Sequence, residues 1–579
     1  MKQFLKRFRI PLIVVGVLCL LSATALITHR AYAVKSAQDE GKSTQSTLTD
    51  GGAQTAQEDN GAQTQQTEST QTPEIDAAEA VSIVFSDGGV QTAANEDAVK
   101  VEGTDVTIRA SGAYTLSGSC ADGSVTVKKE TKGVTLILDG LNLTAENTAA
   151  ISCNKGTEVT ILAADGTVST LADTEKNNDE TNPANELAEN AVIKCKDGAQ
   201  VRLGGTGTLN ILANGKNGVK AGASTEELGE ASLTISDLTL SVTAPNDGIK
   251  ADSALTISGG RITVSAGDDA VRSDTAVTIG AEGTDGPTLE ISGCTEGIEA
   301  PQVTLLSGDV RIQAEDDGIN ASGGDAASAL TVSGGTLLVD VAQGDGLDSN
   351  GSLNITGGDV RVFSSSRSDN SPIDSDGELS ITGGTVLAVG ASGMAQAPNA
   401  SAQTYVVFSA GNSVGGPGGG FGGGANAAGA GFSLAAGDKV QITDENGNVL
   451  AETEALRQAD YVYFTAPGLA DGQTCTLSVN GQSVGTAQAT EELGAFGGMA
   501  GGGNRPGKPG GGNFDAQNMP QMPEGDFDPE NMPQPPEGEF DPENRPQPPD
   551  GNFGSRPQRP GGTDGQTGAT PDADGEKEA

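Results

Sequence analysis

Short runs of alternating apolar and polar residues recur from about residue 80 onward. The runs 106–108, 125–127 and 134–138 place Val, Ile or Leu at every second position or more often. Such a period of two is typical of β-strands that bury at least one face. The sequence therefore predicts a series of short strands in this part of the chain.

A longer repeat is superimposed on this alternation. One copy reads Asn-Asp-Gly-Ile-Lys-Ala-Asp at 246–252, Leu-Thr-Ile-Ser-Gly-Gly at 255–260 and Ile-Thr-Val at 262–264. Successive copies begin 30, 22, 27, 21, 28 and about 26 residues apart. The strands are too short for a hairpin sheet, whereas winding the chain stacks like strands in parallel, about 4.8 Å apart. The repeat predicts an all-β solenoid, a parallel β-helix with coils of about 21–30 residues between residues 100 and 390.

The alternation also assigns side chains to the inside and outside of each coil. In the copy at 246–252, it places Ile249 and Ala251 inward and Asp247, Lys250 and Asp252 toward solvent. The other copies align with the same register. We therefore expect a stacked aliphatic core with a charged outer face.

Two cysteines occupy the position of Ala251 in this register. Cys153 and Cys195 both close an aliphatic run equivalent to 248–251. We interpret them as small core residues, with a disulfide or a metal ligand left as alternatives. The spacing of the cysteines contains no CxxC pair, so a zinc site is not expected.

Composition narrows the classes of function. The chain has 579 residues, 84 of them Gly, 3% aromatic residues and a formal charge of −45. The negative charge argues against nonspecific binding of nucleic acid, because it would repel the phosphates. It favours binding of metal cations or a role in solubility. The only His is His29, in the predicted signal region, which argues against His-dependent catalysis.

The N-terminal segment predicts export. Basic residues precede an apolar run at 10–27, so residues 1–33 are interpreted as a signal peptide or an uncleaved signal anchor. Residues 34–78 are rich in Gln, Thr, Ser, Gly and acidic residues and are expected to form a flexible polar linker. We expect a secreted or cell-surface protein, with membrane or cell-wall attachment through this segment as an option.

Three further segments complete the predicted organisation. Residues 79–395 form the β-helix, and 396–490 form a small C-terminal β cap or module that contains a Gly-rich insert. Such a cap would cover core and strand edges at the end of the helix. Residues 491–579 are rich in Gly, Pro and acidic residues and are expected to be disordered.

Acidic residues recur at one corner of successive coils. Stacked carboxylates repel one another, and together with carbonyl groups at glycine turns they provide the oxygen ligands that Ca²⁺ prefers. The alternative is that each Asp-Gly pair only makes a turn. The candidate calcium ligands are Asp247, Asp252, Asp268, Asp269, Asp274, Asp316, Asp317, Asp345 and Asp348.

A short basic series lies beside the acids. Lys194, Lys220, Lys250 and Arg272 share one outward position, which continues as Glu299, Asn320, Asp348 and Asp374. One interpretation is charge balance against neighbouring aspartates. The other is a groove in which the four basic side chains and bound Ca²⁺ contact the carboxylates of an acidic sugar chain.

With these repeats, the chain resembles the secreted carbohydrate-binding β-helix proteins of Gram-positive bacteria, which are similar to polysaccharide lyases. The resemblance covers about residues 80–490 and implies a right-handed β-helix, calcium sites and binding of plant-type or acidic polysaccharides. Asp247 and the pair Asp268-Asp269 also look like the calcium cluster of family-nine pectate lyases, which use a Lys base on a later coil. At the corresponding positions after Arg272, this chain has Glu299 and Asn320.

Three hypotheses for function follow. The first is a noncatalytic, calcium-binding carbohydrate-binding protein, expected to be a monomer with a polysaccharide partner. The second is a calcium-dependent, pectate-like lyase, with Lys220, Lys250 or Arg272 as the candidate base. The third is a structural surface adhesin without a sugar ligand.

Overall fold

The structure is a computed structural model that describes residues 80–323, 327–410 and 432–494. Every regular element within these ranges is a β-strand. None of the described residues forms a helix that is long and apolar enough to cross a membrane. The predicted signal segment and polar linker lie outside the described residues, as do the Gly-rich insert and nearly all of the predicted tail.

Three sheets, numbered here in the order in which a coil visits them, form the body of the protein. Their strands pair in parallel, except that Val99–Glu102 pairs antiparallel with Asp105–Ile108 at the start of sheet 3. Sheet 1 contains Val81–Ser86, Gly112–Cys120, Val134–Leu138, Glu158–Ala163, Gln200–Gly205, Ser232–Ile235, Ala254–Ile257, Ala276–Ile279, Gln302–Leu305, Ala329–Val332, Ser352–Ile355, Leu379–Ile381 and Ser401–Ala402. Sheet 2 contains Asn142–Ala145, Val168–Asp173, Thr208–Leu212, Thr239–Ala244, Arg261–Ala266, Thr288–Cys294, Asp309–Ala314, Thr336–Val341, Asp359–Phe363 and Thr385–Gly390. Sheet 3 contains Val99–Glu102, Asp105–Ile108, Ser124–Val127, Ile151–Cys153, Ala191–Cys195, Asn217–Ala221, Ile249–Ala251, Val271–Ser273, Ile298–Glu299, Ile319–Ala321, Leu347–Ser349 and Ile373–Ser375. The predicted parallel β-helix is confirmed.

The strand registers confirm the predicted coil spacing after residue 217. Val219 pairs with Ile249, and Ile249 pairs in turn with Val271, so equivalent positions of successive sequence copies stack directly. The predicted coil length is wrong for one earlier coil. Ile151 pairs with Ile193, so this coil is longer than the predicted 21–30 residues. In this longer coil, residues 174–190 form a long connection without a strand between sheets 2 and 3, called here the excursion.

Aliphatic side chains stack along the inside of the helix. Ile249, Val271 and Ile298 follow one another in register and are fully buried. Burial of such a side chain contributes about 1.5–3 kcal/mol relative to its exposure to water. Because each coil adds only a few of these residues, the core gains its stability from contacts between neighbouring coils.

The Gly of the repeated Asp-Gly-Ile sequence is required by close packing at the corner between sheets 2 and 3. A Cβ atom on Gly248 would lie 2.3 Å from Val264 Cγ1 and 2.7 Å from the carbonyl oxygen of Ala270. Gly318 is equally confined, with Val339 Cγ1 at 2.3 Å. The corner therefore fixes the backbone of the acidic residue that precedes each Gly.

Antiparallel strands close the two ends. At the N-terminal end, Gly89–Thr92 pairs with the first strand of sheet 1. At the other end, Tyr461–Thr465 pairs with the last strand of sheet 2 and with Tyr405–Ser409. A four-stranded antiparallel sheet follows, made of Lys439–Thr443, Val449–Glu454, Thr474–Val479 and Gln482–Gln488. Its apolar side chains share a core with Leu387 of sheet 2, so the small C-terminal β module is present.

Candidate metal centre and charged face

Five carboxylates stack at the corner where sheet 2 leads into sheet 3. Backbone hydrogen bonds hold them in register: the N–H of Gly248 donates to the carbonyl of Asp269 at 2.9 Å, and the N–H of Gly318 donates to the carbonyl of Asp345 at 3.0 Å. We call this the corner column. It consists of Asp247, Asp269, Glu296, Asp317 and Asp345.

A second column runs along the middle of sheet 3, one residue after the buried aliphatic position. Its members pair directly from coil to coil, so their side chains are spaced by about 4.8 Å. We call this the strand column. It consists of Lys194, Lys220, Lys250, Arg272, Glu299, Asn320, Asp348 and Asp374. The face is therefore basic at one end and acidic at the other.

Asp247, Asp268 and Asp269 form the first acidic group. They bring carboxylate oxygens within 4.8 Å of one another. Asp247 is only 1% exposed, so the expectation that it faces solvent is wrong; it lies at a corner that the neighbouring coil covers. Neither Asp247 carboxylate oxygen accepts a hydrogen bond from the described residues. Lys250 Nζ lies 3.2 Å from Asp247 Oδ2, close enough for an ion pair but without the geometry of a hydrogen bond.

A buried carboxylate without hydrogen bonds is costly, because burial removes its hydration without replacing it. The ion pair with Lys250 offsets only part of this cost. Asp269 is also buried, and burial raises its pKa to about 6 although Arg272 donates a hydrogen bond to it. The pKa of Asp268 is raised by burial and then by the charge of Asp269. The carboxylates of the first group therefore accept few hydrogen bonds and repel one another.

Arg272 pairs with two of the three carboxylates of the second acidic group, which contains Asp269, Glu296 and Glu299. Its Nη1 lies 2.8 Å from Asp269 Oδ2 and 2.5 Å from Glu299 Oε2. Burial opposes the charge of Arg272, but hydrogen bonding to Asp269 and the charge of Glu299 leave its pKa raised. Burial, followed by the charges of Glu299 and Asp269, raises the pKa of Glu296 to about 7. An internal cation thus already serves this group.

Asp345, Asp348 and Asp374 form the third acidic group, again with oxygens within 4.8 Å of one another. No Lys or Arg of the described residues forms an ion pair with any of the three. Burial is the largest cause of their raised pKa values, and neighbouring carboxylates add to it, taking Asp345 to about 7 and Asp348 to about 8. This group has the least compensated negative charge of the three.

The structure brings together five of the nine predicted calcium ligands in the first and third groups. Asp252, Asp274, Asp316 and Asp317 fall outside the three groups found among the described residues. The sequence-based selection of ligands missed Glu296, Glu299 and Asp374. In the sequence, Glu299 and Asp374 align with the basic series and Glu296 with the Asp of the corner column, so the repeat itself carries the signal for all three.

The basic end of the strand column is short of acidic partners. Lys194 and Lys220 stack directly, and neither has an acidic side chain within ion-pair distance in the described ranges. Burial and then the charge of Lys220 lower the pKa of Lys194. The two ammonium groups can thus accept an anionic ligand without first breaking an ion pair.

Grooves flank sheet 3 on both sides. The groove toward sheet 2 has a volume of about 650 Å³ and is lined by Thr295, Asp316 and Arg367, among others. The groove toward sheet 1 has a volume of about 1070 Å³, and its lining includes Arg272 and Asn350. Both are open; the first is lined mainly by polar surface, whereas the second is lined by polar and apolar surface in similar measure.

The donor set at the corner fits a hard cation. The first and third groups offer carboxylate oxygens only, at a separation that one ion can bridge. Ca²⁺ takes six to eight oxygen ligands in flexible geometry, whereas softer metals prefer nitrogen or sulfur. Asp247, Asp268 and Asp269 would hold one such ion, and Asp345, Asp348 and Asp374 a second.

Parts of the chain are similar to known proteins. Residues 102–369, somewhat less than half of the chain, match the family described as carbohydrate-binding domain-containing protein. A protein of that description from Acetivibrio thermocellus is 36% identical over 117 residues, which are 20% of this chain and 39% of the relative. The chain thus spans about two fifths of the length of this relative. The solved structure of a polysaccharide lyase-like protein from C. thermocellum, a gadolinium derivative, is 26% identical, with a TM-score of 0.32, and the match covers 52% of this chain and 96% of that one.

Proposed function

We propose that the outward face of sheet 3 binds an acidic polysaccharide with the help of bound Ca²⁺. The match of residues 102–369 to a carbohydrate-binding family supports the sugar ligand. The observation that carries the calcium proposal is the carboxylate of Asp247, which is buried, lacks hydrogen bonds and is aimed at two further carboxylates. A cation bound between these carboxylates would interact with the Asp247 oxygens, which accept no hydrogen bond from the described residues.

The two ends of the strand column suggest two modes of contact with one sugar chain. At the basic end, Lys194 and Lys220 would bind sugar carboxylates directly as ammonium ions. At the acidic end, a sugar carboxylate would be repelled by Asp348 and Asp374 unless Ca²⁺ bridges the two. A ligand with regularly spaced negative charge suits a column whose charges recur at each coil.

This proposal includes export. The N-terminal apolar run and polar linker would place the β-helix outside the cell, where such polysaccharides occur. It then acts as a secreted or surface-attached binding protein.

Binding of polygalacturonate by the purified protein, measured by calorimetry in Ca²⁺ and in chelator, tests the proposal. We expect binding in Ca²⁺ and a marked loss in chelator. Asp247→Asn is expected to reduce the calcium enhancement, and the double change Lys194→Gln with Lys220→Gln is expected to weaken binding in both conditions. Asp139→Asn, in an exposed turn away from sheet 3, is the matched control. Equal affinity in Ca²⁺ and chelator for the unchanged protein would refute the calcium requirement.

A calcium-dependent lyase is the second candidate, and the ion pairs bear on its base. Elimination needs an unprotonated base beside the sugar proton that a bound cation acidifies. Arg272 contacts three carboxylates and has a raised pKa, and Lys250 is paired with Asp247. Lys220 is the candidate that lacks such a partner among the described residues. Ultraviolet absorbance of unsaturated product from polygalacturonate and Ca²⁺ would reveal this activity, and its absence alongside retained binding supports a noncatalytic protein.

A further inference from the structure

Two cysteines of neighbouring coils face each other inside the helix. Cys153 and Cys195 are direct register partners on adjacent strands of sheet 3, and both are 0% exposed. The other described cysteines, Cys120, Cys294 and Cys475, have Leu143, Ala314 and Ala487 as register partners. All five described cysteines carry free thiols in the structure.

The position of this pair in the chain is unusual. The residues between the two cysteines make up the longest coil of sheet 3, including the excursion 174–190. The excursion contains no strand and is held by polar contacts, such as the hydrogen bonds from Asn177 Nδ2 to Asp173 Oδ2 and to the carbonyl of Ala191. A covalent link at the base of this coil would restrain the part of the helix with the longest chain between stacked strands.

We propose that Cys153 and Cys195 form a disulfide that ties together the two coils on either side of this excursion. Parallel strands lie about 4.8 Å apart, within the Cα–Cα range of about 4.4–6.8 Å that disulfides span, and bond formation requires the two Cβ atoms to approach slightly, to about 3.5–4.5 Å. Both side chains point into the same interior column, since Val127 pairs with Cys153 and Cys153 with Cys195. The inference does not depend on the sugar or calcium proposals.

The bond forms by thiol–disulfide exchange with a carrier disulfide, such as oxidised glutathione or an oxidised thiol oxidoreductase. One cysteine thiolate attacks a carrier sulfur and releases the first carrier thiolate. The second cysteine thiolate then attacks the mixed disulfide and releases the second carrier thiolate. Two protons leave the cysteines, and two electrons reduce the carrier.

Burial determines when this exchange takes place. A hydrogen bond with Cys195 and then burial raise the pKa of Cys153 well above its usual value, so Cys153 holds little thiolate in the folded protein. Carrier molecules also cannot reach sulfurs that are fully buried. Oxidation is therefore expected in the unfolded or partly folded chain, before neighbouring coils bury the two cysteines.

Refolding of the denatured, reduced full chain tests the disulfide. The protein is refolded either in a mixture of oxidised and reduced glutathione or in excess reductant, then alkylated in denaturant and mapped without reduction. We expect the oxidised sample to give a peptide pair joined through Cys153 and Cys195 and lighter by about 2 Da than the two thiol peptides. Cys120, Cys294 and Cys475 should be alkylated in both samples.

Thermal unfolding provides a second readout. The oxidised sample should melt about 3–5 °C above the reduced sample. Cys153→Ala should abolish this difference and leave Cys195 open to alkylation, whereas Cys294→Ala should retain both the difference and the link. Alkylation of both Cys153 and Cys195 in oxidatively refolded protein with native circular dichroism would overturn the proposal. A link from either residue to another cysteine would do the same, and neither result requires a variant to fold.

Discussion

Replacement of Asp348 by Asn should stabilise the protein in chelator and weaken its stabilisation by Ca²⁺. Asp348 stacks on Asp374 and shares the third acidic group with Asp345. In chelator, the amide removes one charge from a group that has no ion-pair partner in the described structure. In Ca²⁺, the same change removes a ligand.

The expected magnitude follows from the separation of the charges. Two ionised carboxylates whose oxygens lie within 4.8 Å of each other repel by about 3.5 kcal/mol or more at an effective dielectric constant of about 20, and by about 1 kcal/mol in water. Because Asp348 is only partly buried, screening lowers the gain for Asp348→Asn to about 1–3 kcal/mol above pH 8. Folding raises the pKa of Asp348 to about 8, so its contribution to stability is fully present below its unfolded pKa and is lost as the pH rises through about 8. The advantage of the variant should therefore vanish near pH 4.

Far-ultraviolet circular dichroism in a denaturant series gives the unfolding midpoint at each pH. Asp348→Asn is compared with the unchanged protein and with Asp139→Asn, in chelator and in Ca²⁺. A rise of the midpoint at high pH in chelator, with a smaller calcium-induced shift, supports the third group as a calcium site. An effect of the same size at low and high pH would show that charge repulsion is not its cause.

Three other changes have definite expected outcomes. Gly248→Ala places a Cβ 2.3 Å from Val264 Cγ1, so it should lower stability by about 1–3 kcal/mol and weaken calcium binding at Asp247, as measured by denaturation and calorimetry. Gly447→Ala is the contrasting case, because its Cβ would meet no heavy atom within 4 Å but its φ is +82°, so it measures backbone strain without a clash. Arg272→Gln removes the cation that Asp269 and Glu299 share, so the melting temperature in chelator should fall and its rise on adding Ca²⁺ should exceed that of the unchanged protein; an unaltered calcium response would contradict this. Lys194→Gln removes one of two stacked ammonium groups, so polygalacturonate affinity should fall and depend less steeply on salt, whereas an unchanged salt dependence would exclude Lys194 from the contact.

The sequence was sufficient for the fold because its periodicity reports burial directly. Each Gly-Ile-Lys-Ala unit places Ile inside and Lys outside, and successive units lie in register as expected from Ile249 to Ile373. The longer coil that ends at Ile193 could not be predicted in the same way. The excursion is held by a hydrogen bond from Asn177 to Asp173, and these two residues are not part of the sequence repeat.

The candidate site was less accessible to sequence reasoning. Alternation correctly separates inward from outward positions along a strand, but Asp247 lies at a corner, where burial depends on the neighbouring coil. Which acidic residues have a cationic partner also depends on side-chain contacts. Arg272 forms ion pairs with Asp269 on its own coil and with Glu299 on the next. Such choices follow from side-chain conformation and cannot be derived from spacing alone.

A crystal structure of the protein with Ca²⁺ and an oligogalacturonate tests the central claim most directly. The account predicts anomalous density for Ca²⁺ among Asp247, Asp268 and Asp269, and among Asp345, Asp348 and Asp374, with the sugar along the strand column and a carboxylate near Lys194 or Lys220. Density for the sugar on another face, with no calcium at either acidic group, would contradict it.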